Sequence, residues 1–225
     1  SETMSDILQN IQDIRAQISA AAEAFGRKGD NVNLVAVSKR QPAERIKEAL
    51  DSGHRLFGEN RVQEAYEHWD AIKADYPDLK LHLIGPLQTN KVKDAVTLFD
   101  CIETVDRAKL AKALAKEMKA QKRHLPCFIQ VNTGEEPQKS GISPDGLEDF
   151  LFLCCDECEL NICGLMCIPP LEEPPALHFA LLKKLAEKHG LPELSMGMSG
   201  DFEKAVQLGA TYVRVGTALF GTRTS

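Results

Sequence analysis

Lys39 stands just past the apolar run Leu34, Val35, Ala36 and Val37, and Pro42 opens an amphipathic segment behind it. A lysine at such a turn is ordinarily solvated. Where partial desolvation removes its proton, the amine attacks carbonyl groups. Two further turns suit an anion. Gly197, Ser199 and Gly200 precede a helical pattern that starts near Asp201, and Gly216 and Thr217 lie between a strand-like run and a short helix. Glycines let backbone N–H groups approach a ligand closely, and the unpaired N–H groups of a helix start favour negative charge. Arg214 lies two residues before Gly216. Its plainest role is a salt bridge at the edge of the core. An amine, two anion-accepting turns and a fixed cation are also the parts of a site for a phosphorylated aldehyde, if the fold gathers them.

A single (β/α)8 barrel would gather them, because every strand of that fold ends on one functional face. Eight short apolar runs read as strands: Leu34–Val37, Arg55–Phe57, Leu81–Ile84, Cys101–Val105, Cys127–Val131, Ile162–Met166, Leu194–Met196 and Tyr212–Val215. Helical patterns alternate with them: Ala43–Asp51, Arg61–Ile72, Lys91–Phe99, Arg107–Gln121, Pro144–Cys155, Pro175–His189 and Asp201–Leu208, with a last short helix after Thr217. Connections of this length suit parallel crossovers, and parallel strands covered on both faces read as continuous apolar runs. An extra amphipathic helix, about residues 4 to 26, repeats Ile7, Ile11, Ile14 and Ile18 at three and four. The expectation is one domain over residues 1–225, with residues 1–30 packed on the barrel as this helix.

Composition narrows the function. The formal net charge of -6 gives no general attraction to nucleic acid or an anionic membrane. No run of 18 apolar residues is present. The amino end carries acids and lacks the marks of a secretory or transit signal, so a cytoplasmic protein is expected, with Met4 as a possible natural start. The seven cysteines read as free thiols of a reducing compartment. Cys155 and Cys158 have metal-like spacing, but no second ligand pair follows at finger spacing, and no metal is expected. No obvious dimer patch emerges, so a monomer is expected.

In a closed barrel strand eight lies beside strand one. Lys39, the two glycine turns and Arg214 could then reach the ends of one small molecule. Pyridoxal 5'-phosphate has an aldehyde for the lysine, a phosphate for the turns and a ring nitrogen that a protein group can tune. An arginine at that nitrogen would keep it unprotonated and weaken the electron sink.

The runs "AVSK", "FGENRVQE", "LHLIGPLQTNK", "GLMCI", "SMGMSGDFEKAV" and "GATYVRVGTALFG" resemble the pyridoxal-phosphate homeostasis proteins, in order and spacing from about Asn33 to Arg223. That family resembles in turn the barrel domain of alanine racemases, the fold-type III pyridoxal-phosphate class. The resemblance implies that Lys39 forms the aldimine and that Ser199, Gly200, Gly216 and Thr217 hold the phosphate. It implies that Arg214 faces the ring nitrogen, and that Asn60 and Met166 line the pocket. His82 matches too, as a pocket residue or a satisfied core histidine. The implied role is a cofactor holder in vitamin B6 homeostasis with no catalytic residue, delivering to pyridoxal enzymes that lack their cofactor. The alternative is an amino-acid racemase. Against it, no second domain is expected, the given sequence stopping nine residues after Gly216, and none of Tyr66, Tyr76 and Tyr212 is expected at a strand exit.

Overall fold

The computed structural model describes residues 6–221. Eight strands follow one another around a closed barrel: β1 (Asn33–Val37), β2 (Leu56–Glu59), β3 (Lys80–Leu83), β4 (Cys101–Val105), β5 (Pro126–Gln130), β6 (Asn161–Met166), β7 (Glu193–Ser195) and β8 (Tyr212–Val215). All neighbours are parallel, and β8 closes on β1 from Asn33↔Tyr212 to Ala36↔Val215. The expected barrel is the observed one. The helices are α1 (Asp6–Glu23), α2 (Ala43–Asp51), α3 (Val62–Trp69), α4 (Val92–Leu98), α5 (Ala108–Gln121), α6 (Leu147–Phe152), α7 (Pro175–Lys188), α8 (Phe202–Gln207) and α9 (Thr217–Phe220).

The extra helix α1 buries Ile7, Ile14, Ile18, Ala21 and Ala22 and packs on α2, α8 and α9. Its apolar stripe is what the isoleucine spacing demands. The expected helix start at residue 4, Met4 itself and residues 222–225 lie outside the described residues.

Two local departures have physical reasons. β2 runs on through Gly58 and Glu59, residues with poor strand preference, because they pair with His82 and Leu83 of β3. Gly58 answers a crowded spot: a Cβ there would meet Val35 Cγ1 at 2.8 Å and Ile84 Cδ1 at 3.0 Å. The helix expected over Pro144–Cys155 divides into a 3-10 turn (Pro144–Gly146), α6, and a wider π turn (Leu153–Glu157) in which the Cys158 N–H donates to the Leu153 carbonyl.

Apolar side chains form two layers. Between sheet and helices lie Phe57, Trp69, Phe99 and Phe179, all fully buried. A smaller cluster of Cys101, Phe128 and Met166 packs against Tyr212, whose ring meets that of Phe128 edge-on at 5.5 Å. The cysteines are free thiols. Burial pushes Cys154, Cys163 and Cys167 up to about 12, which leaves them protonated and unreactive. Among the described residues no cluster of three or more His, Cys, Asp or Glu is placed to hold a metal, and no helix is long and apolar enough to cross a membrane.

Candidate functional site

The strand exits meet around a cavity of about 260 Å³ at the mouth of the barrel. Lys39 and Asn60 enter it from β1 and β2. Ser199, Gly200, Gly216 and Thr217 enter from the turns after β7 and β8, and Arg214 reaches it from β8. Val37, Ile84, Ile168 and Met198 supply apolar wall. Drug-sized ligands occupy roughly 300–1,000 Å³, so this cavity suits a smaller molecule.

The two glycine turns are joined. The Ala218 N–H, in the first turn of α9, donates to Ser199 Oγ at 3.2 Å. Gly197 and Gly200 serve different ends. Gly197 has φ 103°, and a Cβ on it would meet the Ala205 Cβ at 2.6 Å, so backbone and packing both require glycine. Gly200 lies outside the left-handed region, and a Cβ there would meet nothing within 4 Å. Nothing in the protein demands a glycine at that position, and its backbone faces open space.

Arg214 is almost wholly buried, at 3 % exposure. Its Nη1 donates to Ser195 Oγ at 2.6 Å and its Nη2 to the Cys167 carbonyl at 2.9 Å. Ser195 Oγ donates in turn to Glu103 Oε1, and Glu103 Oε2 accepts from His82 Nδ1 at 2.7 Å. Burial alone would raise the Glu103 carboxyl. The His82 hydrogen bond and charge, the Arg214 charge and the Ser195 hydroxyl outweigh it and hold the group below its ordinary value. Arg214 is therefore both a cavity residue and part of a buried charge network.

On the opposite side Glu59, also fully buried, anchors the exit of β1. Its Oε2 accepts from Ser38 Oγ at 2.6 Å, from Trp69 Nε1 at 2.8 Å and from His68 Nδ1 at 2.8 Å. Ser38, the chain neighbour of Lys39, is thereby tied to the carboxylate that precedes Asn60. Asn60 Oδ1 is buried with no hydrogen-bond partner. A buried acceptor left unpaired is costly, and a ligand donor is one way to satisfy it.

Seven of the nine expected site residues thus share the cavity, and two do not line it. His82 is buried below the mouth, bonded to Glu103, with its ring 5.4 Å from that of Tyr212. Met166 is fully buried against Cys101 and Phe128. Sequence reasoning missed Glu59, Glu103 and Ser195. The signal was present in "FGEN" and "CIETV": a carboxylate inside an apolar strand must find buried donors.

Comparison with known proteins places the chain. The alanine racemase N-terminal domain family matches residues 9–224. A pyridoxal phosphate homeostasis protein of Vibrio cholerae serotype O1 is 42% identical over 230 residues, 98% of either chain. The chain belongs to the pyridoxal phosphate homeostasis protein family. The family member of Pseudomonas aeruginosa is 44% identical over 225 residues, covering 98% of this chain and 97% of that one. The solved structure of PipY from Synechococcus elongatus PCC7942, with pyridoxal phosphate bound, superposes with a TM-score of 0.82 at 38% identity, over 96% of this chain and 100% of that one. An alanine racemase of Clostridium difficile 630, at 14% identity and a TM-score of 0.72, shares the fold; this chain covers 57% of it. As a member of the homeostasis protein family, the chain presents residues that fit its cofactor. The open cradle at Gly200 and the unpaired Asn60 oxygen are both places for a polar ligand.

Proposed function

We propose that this chain binds pyridoxal 5'-phosphate reversibly at the barrel mouth and helps to maintain its level in the cytoplasm, as a holder or carrier without turnover of its own. The observation that carries this reading is the meeting of the Lys39 side chain with the Ser199–Gly200 and Gly216–Thr217 turns in one small cavity. The names of the relatives and the bound cofactor of PipY support it.

When bound, the cofactor supplies an aldehyde that an amine captures reversibly. Lys39 brings that amine. Ser199 Oγ and the backbone N–H groups of the two turns would hold the phosphate, and the apolar wall of Val37 and Ile84 would keep water from one side of the cavity. Arg214, fixed by Ser195 and Cys167, would present a permanent cation to the ring nitrogen and disfavour its protonation. Asn60 Oδ1 would accept from a donor on the bound cofactor.

The racemase alternative needs an acid/base group on each side of the reacting carbon. Among the described residues no tyrosine lines the cavity. Tyr66 OH donates to the Asp94 carbonyl at 2.9 Å, Arg55 lies over the Tyr76 ring, and Tyr212 packs on Phe128. His82, the remaining candidate, is engaged by Glu103. We take one chain as the working unit and pyridoxal enzymes lacking their cofactor as recipients; the exposed side chains of Ile168, Leu171 and Met198 at the mouth suit a docking protein.

Titration with pyridoxal 5'-phosphate, pyridoxal and inorganic phosphate tests the reading. The phosphate ester should bind at least about tenfold more tightly than pyridoxal, from charge-assisted hydrogen bonds alone. Equal affinity for the two, or no binding, would overturn it. Exchange of the alanine α-proton in deuterated water at about 1 per second or faster would favour an enzyme instead.

A further inference from the structure

Lys39 sits in a sharp turn whose neighbours are all held from one side. Ser38 Oγ donates to Glu59 Oε2 at 2.6 Å. The Arg40 N–H donates to Glu64 Oε2 at 2.7 Å. Arg40 has φ 63°, a left-handed conformation that a bulky residue adopts only when its surroundings impose it. The Gln41 N–H closes the turn on the Ser38 carbonyl at 3.1 Å. Glu59 ends β2, and Glu64 and His68 lie one helical turn apart on α3. One unit, β2 with α3, therefore grips the residue before Lys39 and the residue after it.

We propose that Glu59, Glu64 and His68 are positioning residues that hold the Lys39 turn for cofactor capture, and that His68 makes this hold depend on pH. The proposal rests on the reading of Lys39 given above. His68 Nδ1 meets at 2.8 Å the same Glu59 oxygen that holds Ser38. The charged groups facing it are Glu59 from β2 and Glu64 from its own helix, and the β1–α2 turn faces it with the Gln41 carbonyl. An imidazolium gives Glu59 a charge-assisted hydrogen bond; a neutral ring gives a weaker one.

The direction of the titration follows. Burial disfavours the charged ring, but Glu59, Glu64 and the Gln41 carbonyl outweigh it and raise His68 above its ordinary value of 6.5. The charge-assisted bond to Glu59 is complete below 6.5 and is lost as pH rises through the raised value. The turn is then tighter in acid than in base.

The test compares wild type with His68→Gln between about pH 6 and pH 9, the span of histidine titration. Pyridoxal 5'-phosphate affinity is measured for both, and the ratio cancels the titrations of Lys39 and the phosphate that the two proteins share. We expect wild type to bind about tenfold more tightly at the acid end, with the ratio falling towards one at the basic end. A ratio that does not change with pH overturns the His68 part. A second readout needs no cofactor. Hydrogen exchange at the Arg40 amide should speed about tenfold in Glu64→Ala and return towards wild type in Glu64→Gln, whose amide oxygen still accepts. Unchanged exchange in Glu64→Ala overturns the clamp. Failure of wild type to bind the cofactor at Lys39 would instead sink the underlying reading, and the proposal with it.

Discussion

Glu59 and Glu103 are both fully buried carboxylates in short barrel strands, yet they are satisfied in different ways. Glu103 uses both oxygens, on Ser195 and His82, and the Arg214 charge lies behind the serine. Glu59 places Ser38, Trp69 and His68 all on one oxygen and leaves Oε1 without a partner. The first sits in a closed charge network with a permanent cation. The second is a hub of neutral donors plus one titratable ring. The difference separates two duties at the barrel mouth: the β7–β8 side is fixed, and the β1–β2 side, which carries the amine, is adjustable.

The largest effect that would test this contrast is Glu103→Gln. It removes the charge that His82 faces directly and Arg214 faces through Ser195, and removing one member of a buried charge network costs about 3–5 kcal/mol. Urea unfolding should show that loss. Glu59→Gln leaves hydroxyl, indole and imidazole donors a weaker acceptor and should cost less, about 1–3 kcal/mol. Equal losses at the two sites would break the comparison.

Acid sharpens it further. The Glu103 carboxyl is held below its ordinary value of 4.5, so its contribution is complete above 4.5 and is lost as pH falls through the lower folded value. The stability gap between wild type and Glu103→Gln should stay constant from neutrality down to that region and then close. A gap that already closes near neutral pH would mean that His82, Arg214 and Ser195 do not hold the carboxylate ionised.

Gly200→Ala should have the smallest effect on the fold. The new methyl meets no protein atom within 4 Å, so stability should hold or rise by about 0.4–1 kcal/mol, while pyridoxal 5'-phosphate binding weakens. Unfolding midpoints and cofactor titration measure the two. Loss of stability with intact binding would make Gly200 a structural glycine like Gly197.

The barrel was legible because its strands are apolar runs separated by crossover-length segments, and strand order in such a barrel follows chain order. The exits were legible for the same reason, and Lys39, Asn60, Arg214 and both glycine turns followed from them. Depth was not legible. Strands tilt around a barrel, so residues at similar positions along neighbouring strands stand at different heights. His82 and Met166 therefore read as pocket residues, although they are buried away from the cavity lining, while Arg214 reaches it. The residues that hold Arg214 and Lys39 were hidden for another reason. Ser195 and Glu103 belong to strands far apart in sequence, and pairing between them depends on barrel closure. Glu64 and His68 look like ordinary polar residues of α3 until the β1–α2 turn is laid against that helix.

In the proposed function the Lys39 amine and the glycine cradle are two ends of one site. Borohydride reduction of the protein loaded with pyridoxal 5'-phosphate, followed by peptide mapping, puts this to the test. The cofactor should be fixed on Lys39, with the label greatly reduced when excess inorganic phosphate competes during loading. A label on Lys47, Lys91 or Lys139 with Lys39 unmodified would contradict it.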